Sequence, residues 1–140
     1  MDLAGKTTLR QTASLLRKCR LYVGAESASA HISCAVGTPN VVVLGGGHFG
    51  RFLPYSPLTS AVCLPLECYG CNWACRYERA HCIKDIEPEV LREAIHRSLS
   101  EPAAKPRVFA QPRGQWTPGP AEPAWQSCEC FLRGQEAEVL

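Results

Sequence analysis

Apolar and polar positions along residues 1 to 100 switch between two periods, and the switches mark out the elements. Leu9, Ala13, Leu16 and Leu15 fall together at helical spacing while Arg10, Gln11, Arg17 and Lys18 lie elsewhere. This predicts an amphipathic helix from about Thr8 to Lys18, with Thr7 or Thr8 as N-cap and the basic residues at its C-terminus. Leu21 to Val23 is a short β-type run, Gly24 to Ala28 a small-residue turn, and Ser29 to Val36 a helical stretch closed by Gly37, Thr38 and Pro39. Asn40 to Leu44 is a continuous, mostly β-branched run ending in Gly45-Gly46-Gly47, which predicts a buried parallel strand feeding a flexible loop. Strand, helix and strand in succession make a βαβ unit. Ser60 to Leu64 is a possible further strand. Pro88 opens a last helix, Glu89 to about Leu99, with Val90, Leu91, Ala94, Ile95 and Leu99 apolar and Glu87 and Glu89 at the end the dipole favours for acids.

From Ser100 the pattern dissolves. Residues 101–140 hold more than half of the eleven prolines, interleave Pro, Gly, Gln, Ala and Glu, and keep no period, so a disordered tail is expected there. Trp116, Trp125, Cys128 and Cys130 could form a short interaction motif within it. The domain division is thus 1–100 and 101–140. Two confident strands do not make a complete doubly wound sheet, so the chain reads as an incomplete α/β domain, a fragment of something larger.

Composition narrows the function. The chain has 140 residues, 46% hydrophobic and 20% charged, which suits one globular domain. A net charge of +2 with scattered Lys and Arg argues against a nucleic-acid groove. No apolar run approaches the roughly 18 residues needed to span a bilayer, and Met1-Asp2-Leu3 does not open a signal peptide, so a cytoplasmic protein with at most peripheral membrane contact is expected.

Nine cysteines are many for this length. Cys19, Cys34 and Cys63 sit in apolar segments and are expected to pack as small hydrophobes. Cys68, Cys71, Cys75 and Cys82, with His81 beside the last, are a cluster whose first two spacings let sulfurs converge on one ion. Structural zinc, an iron–sulfur cluster, disulfides and plain reduced thiols all remain open for it.

The candidate site is the start of the second helix. A strand turning through small residues into a helix directs free backbone N–H groups and the positive end of the dipole to one point, which suits an anion such as a diphosphate. Strand-turn-helix units are common and many bind nothing, and His31 could equally be a core residue. The loop Gly45 to Pro57 follows a strand, where open α/β sheets place ligands, and carries His48 and Arg51. Gly5-Lys6-Thr7 is no P-loop, because the earlier glycine and the preceding strand are missing.

Taken in order, Leu3 to Leu9, Val23 to His31, Gly37-Thr38-Pro39 with Val41 to Gly45, Pro54-Tyr55, the cysteine cluster and Asp85 to Pro88 resemble the C-terminal domain of family 9 glycosyltransferases, the lipopolysaccharide heptosyltransferase group. The resemblance implies a GT-B architecture of two Rossmann-like domains, with this chain most of the C-terminal, nucleotide-sugar-binding one. The family's Asp-Thr/Ser-Gly-x-x-His signature falls on Glu26, Ser27, Ala28 and His31, which would hold the donor's diphosphate. Lys6 and Thr7 would lie near the nucleobase, and Gly45 and Gly46 near the donor. Ser27, His31 and the helix start could stabilise the departing diphosphate with no metal required for transfer. The implied partners are a nucleotide-diphosphate sugar donor, a glycan or lipid-linked acceptor and the N-terminal GT-B domain. The catalytic base belongs to that other domain, so no catalytic residue is expected here and no transfer by this chain alone. Glu26 and Ala28 depart from the family's aspartate and glycine, which leaves the sugar open. The contrasting expectation is a non-catalytic metal-binding or interaction module built on Cys68 to Cys82.

Overall fold

The computed structural model describes residues 1–48 and 50–111, and the backbone of residues 129–132. The elements are α1 (Leu9–Leu16), β1 (Tyr22–Ala25), α2 (Ala28–Ala35), β2 (Asn40–Val43), β3 (Thr59–Cys63), α3 (His81–Lys84), α4 (Pro88–Ser100), β4 (Arg107–Ala110) and β5 (Glu129–Leu132). The strands form one parallel sheet in the order β1-β2-β3-β4-β5.

Period-two alternation assigns each strand residue to a face. Val42, Leu44, Ala61, Cys63, Val108 and Ala110 share one face with Ala30 of α2, and Tyr22 and Leu53 pack against them. Val41, Val62 and Phe109 point the other way, onto Val90 and Ala94 of α4, with Ile86, Leu91 and Ile95 at the margin. Covering on both faces is why β2 reads as an uninterrupted apolar run. The Rossmann-like α/β expectation therefore holds, with Ser60 to Leu64 taken up in β3 and with β4 and β5 added to the strands expected from sequence.

Local signals account for the helices. Thr8 caps α1 through a reciprocal pair: its Oγ1 accepts from Gln11 N at 3.3 Å, and Gln11 Oε1 accepts from Thr8 N at 2.8 Å. The helix stops at Leu16, so Arg17 is its C-cap and Lys18 lies beyond. Gly37, at φ +82°, ends α2 in the left-handed conformation that glycine adopts without steric cost. Pro88 occupies the first turn of α4.

Several expectations are corrected. Leu9 and Leu15 are exposed, at 70% and 39%, because α1 packs against α2 rather than the sheet and its Thr12, Ala13 and Leu16 are only half-buried. Leu99 is exposed on α4, and Cys19 is exposed rather than packed. The boundary after residue 100 falls inside the domain. Arg107 to Ala110 form β4, buried along its whole length against β3, and Phe109 is 1% exposed. Arg107 is buried because its guanidinium closes the end of α4, donating to the carbonyls of Arg97, Glu101 and Pro102 at 3.0–3.1 Å. Trp116, Trp125 and Cys128 lie outside the described residues. Among the described residues no helix is long and apolar enough to cross a membrane.

Candidate functional site

β1 ends at Ala25, Glu26 and Ser27 make the turn, and α2 begins at Ala28. Ser27 is the N-cap, extended at φ −157° and ψ 172°, yet its hydroxyl makes no capping bond to the helix. It stands 3.3 Å from the Tyr22 hydroxyl instead. Ser27, Ala28 and His31 are all exposed, so the first turn of α2, with N–H groups that no preceding turn can satisfy, faces solvent with a serine hydroxyl and an imidazole beside it.

The loop after β2 is fastened to this turn at one residue. Phe52 N donates to Glu26 Oε1 at 3.1 Å, and His31 Nε2 lies 2.7 Å from Phe52 O. A carbonyl only accepts, so His31 carries its proton on Nε2. Burial raises the Glu26 pKa above its usual value, opposed by the Phe52 N–H and by the nearby charges of His48 and His31. The loop also places the His48 ring edge-on to Phe52 and to Trp73, with centroids 5.4 and 6.1 Å away, and sets the Arg51 guanidinium 5.4 Å over the Phe52 ring.

The three glycines after β2 are buried rather than open. A Cβ on Gly45 or Gly47 would stand 2.8 or 2.4 Å from the Trp73 ring, and one on Gly46 2.4 Å from the Tyr69 ring. Segment 66–82 is therefore a cover over the C-terminal end of β2. Gly70 N and Asn72 N donate to the carbonyls of Gly46 and Gly47 at 2.7 and 3.0 Å, and Cys82 Sγ accepts from Gly46 N at 3.4 Å. Asn72 and Trp73 take positive φ, 50° and 64°, to make the turn that lays the indole down.

Of the site residues expected from sequence, Glu26 and His31 are thus drawn to one loop residue, with Ser27 and Ala28 between them. Lys6 and Thr7 bond locally, Lys6 Nζ to Asp2 O and Thr7 Oγ1 to Thr12 Oγ1. Cys68, Cys71, Cys75 and Cys82 are free thiols, and among the described residues no three His, Cys, Asp or Glu groups converge as a metal site. Sequence reasoning passed over Phe52, Tyr69 and Trp73. For Tyr69 and Trp73 the signal was a pair of large aromatics available to cover a triple glycine; nothing local marked Phe52, which acts through its backbone.

Comparison with known proteins decides the family. The model of glycosyltransferase family 9 (heptosyltransferase) matches residues 1–81, a span that includes the α2 turn, the glycines and most of the cysteine segment. The chain belongs to glycosyltransferase family 9. The family 9 chain is also similar to lipooligosaccharide heptosyltransferase 2 of Campylobacter jejuni subsp. jejuni serotype O:6, with 29% identity over 103 residues. That alignment takes in 72% of this chain and 32% of the relative, so the chain spans about a third of the protein it matches. No solved structure matches it.

Proposed function

We propose that this family 9 chain supplies the donor-binding half of a GT-B glycosyltransferase, holding the diphosphate of a nucleotide sugar at the start of α2. The observation that carries this reading is the exposed first turn of α2, with the uncapping Ser27 hydroxyl and His31 beside it, inside the span that matches the family.

Glycosyl transfer leaves negative charge on the departing diphosphate. The N–H groups of Ala28 and Ser29, the Ser27 hydroxyl and the positive end of α2 meet that charge, with His31 supporting them. These groups require no metal to act. Ala28 puts a Cβ beside the phosphates where the family has glycine, so the donor sits slightly farther from the backbone than in relatives. Heptose is the favoured sugar and a lipooligosaccharide-type glycan the favoured acceptor, by the name of the relative. The base that deprotonates the acceptor comes from a second Rossmann-like domain, so the chain binds donor without completing transfer by itself. The reaction is placed in the cytoplasm, where nucleotide sugars are available.

Isothermal titration with ADP in EDTA tests the reading. Saturable binding that Ser27→Ala and His31→Ala each weaken severalfold is expected. Absence of binding, or affinity unchanged in both variants, overturns it.

A further inference from the structure

Glu26 and His31 lie five residues apart on either side of the α2 start, and both spend their polar atoms on the backbone of one distant residue. Phe52 gives its N–H to Glu26 Oε1 at 3.1 Å, and its carbonyl accepts from His31 Nε2 at 2.7 Å. A residue held at both its donor and its acceptor cannot rotate about its own peptide groups without breaking one of the bonds. Its ring carries the Arg51 guanidinium, and Arg51 makes no ion pair among the described residues. The reach of Glu26 matters here. Aspartate is one methylene shorter, and a 3.1 Å bond has no slack to absorb that loss.

We propose that Glu26 and His31 are a pair of positioning residues that clamp Phe52 and thereby hold its chain neighbour Arg51, whose guanidinium lies over the Phe52 ring, within reach of the donor's phosphates as a cation. The proposal rests on the nucleotide-sugar reading of that turn. It assigns Glu26 a role as a clamp on the loop, and it makes the Nε2–H of His31, rather than a positive charge on the ring, the feature that counts. Of the residues in this fastening, Arg51 is the one that reaches the ligand, alongside the Ser27 hydroxyl and the N–H groups of the α2 turn.

Charge alone and the clamp predict opposite signs. Deleting a carboxylate beside a phosphate site tightens anion binding if Glu26 acts only through its charge. Loss of the clamp weakens binding. Titration of the full chain with ADP is therefore expected to show Glu26→Ala and Glu26→Asp about fivefold weaker than wild type, the cost of one lost hydrogen bond. Glu26→Gln, which still offers an oxygen to Phe52 N, stays near wild type. His31→Gln, which keeps a donor without a charge, recovers most of what His31→Ala loses. Arg51→Ala weakens ADP binding while leaving the loop ordered. Tighter or unchanged binding in Glu26→Ala, or His31→Gln no better than His31→Ala, overturns the clamp.

A ligand-free measurement separates this from failure of the donor reading. Hydrogen exchange of the peptide spanning residues 50–53 is expected to accelerate in Glu26→Ala and His31→Ala and not in Arg51→Ala. Wild-type protection unaltered by the first two variants refutes the clamp whether or not ADP binds. If wild type binds no ADP while the exchange result holds, the nucleotide reading and the role of Arg51 fall, and the clamp stands as a loop fastening.

Discussion

The ring of Tyr69 lies against Gly46 so closely that a methyl group there would stand 2.4 Å from Cδ1 of the ring. The Tyr69 hydroxyl is in turn tied to the Leu64 carbonyl, and Gly70 N bonds Gly46 O at 2.7 Å. The cysteine-bearing segment is thus seated on the sheet by an aromatic-on-glycine contact, with backbone bonds on either side.

Gly46→Ala tests that seat. Gly46 has no positive φ, so the strain comes from space alone. The Tyr69 ring has to leave its place, and overpacking of this kind costs about 1–3 kcal/mol. The expected outcome is a lower urea midpoint with an unchanged slope. A midpoint equal to wild type would show that the segment shifts freely over the glycines.

Phe109 tests the extent of the domain. Its ring is 1% exposed and packs with Val41, Val62, Val90 and Ala94. Phe109→Ala is expected to lose about 3–5 kcal/mol, as buried aromatics do. A chain ending after Ser100 loses β4 entirely and is expected to unfold without a cooperative transition. Sharp thermal unfolding of that shorter chain would return residues 101–111 to the tail.

The raised pKa of Glu26 makes stability depend on pH in a defined direction. Burial is the main cause, so the folded chain holds this proton more tightly than the unfolded chain does. The contribution is fully present below the ordinary value of 4.5 and is lost as pH rises through the raised folded value. Relative to Glu26→Gln, wild type should therefore be most stable near the acid end of the window and lose ground toward neutrality. Paired thermal melts across that range check it. A difference that grows with pH would contradict the assigned cause.

Thiol reactivity follows burial. Cys19 and Cys75 are exposed, whereas Cys63 is buried between the sheet and α2. Alkylation of the native chain followed by peptide mass spectrometry should modify Cys19 and Cys75 first and Cys63 only on unfolding. Early labelling of Cys63 would mean that the core opens on that face.

Much of the fold is legible along the chain because its signals are local. Thr8 with Gln11, Gly37 at the end of α2, Pro88 at the start of α4 and the run Asn40 to Val43 each declare an element within a few residues. β4 is different. Four residues, the first of them Arg107, carry no period to recognise, and they become a strand only because β3 offers an edge and α4 offers carbonyls for the guanidinium. The amphipathic pattern of α1 is equally clear, but a pattern does not say whether a surface covers it, and Leu9 stays exposed.

The candidate site divides along the same line. That a helix follows a strand through a short turn here, with Glu26 and His31 on either side of its start, is determined by the sequence alone, because turns and caps depend on neighbours a few residues away. The structure starts α2 at Ala28, one residue before the expected Ser29, and carries β1 through Gly24 and Ala25. What Glu26 and His31 hold is decided only by the tertiary structure. Their partner, Phe52, lies 26 and 21 residues further on. The aromatic cover on Gly45 to Gly47 likewise comes from a segment beyond β3. Hydrogen bonds and ring contacts act through space, so a side chain's chemistry can be read from its type, but its partner exists only once the sheet has brought the two loops together.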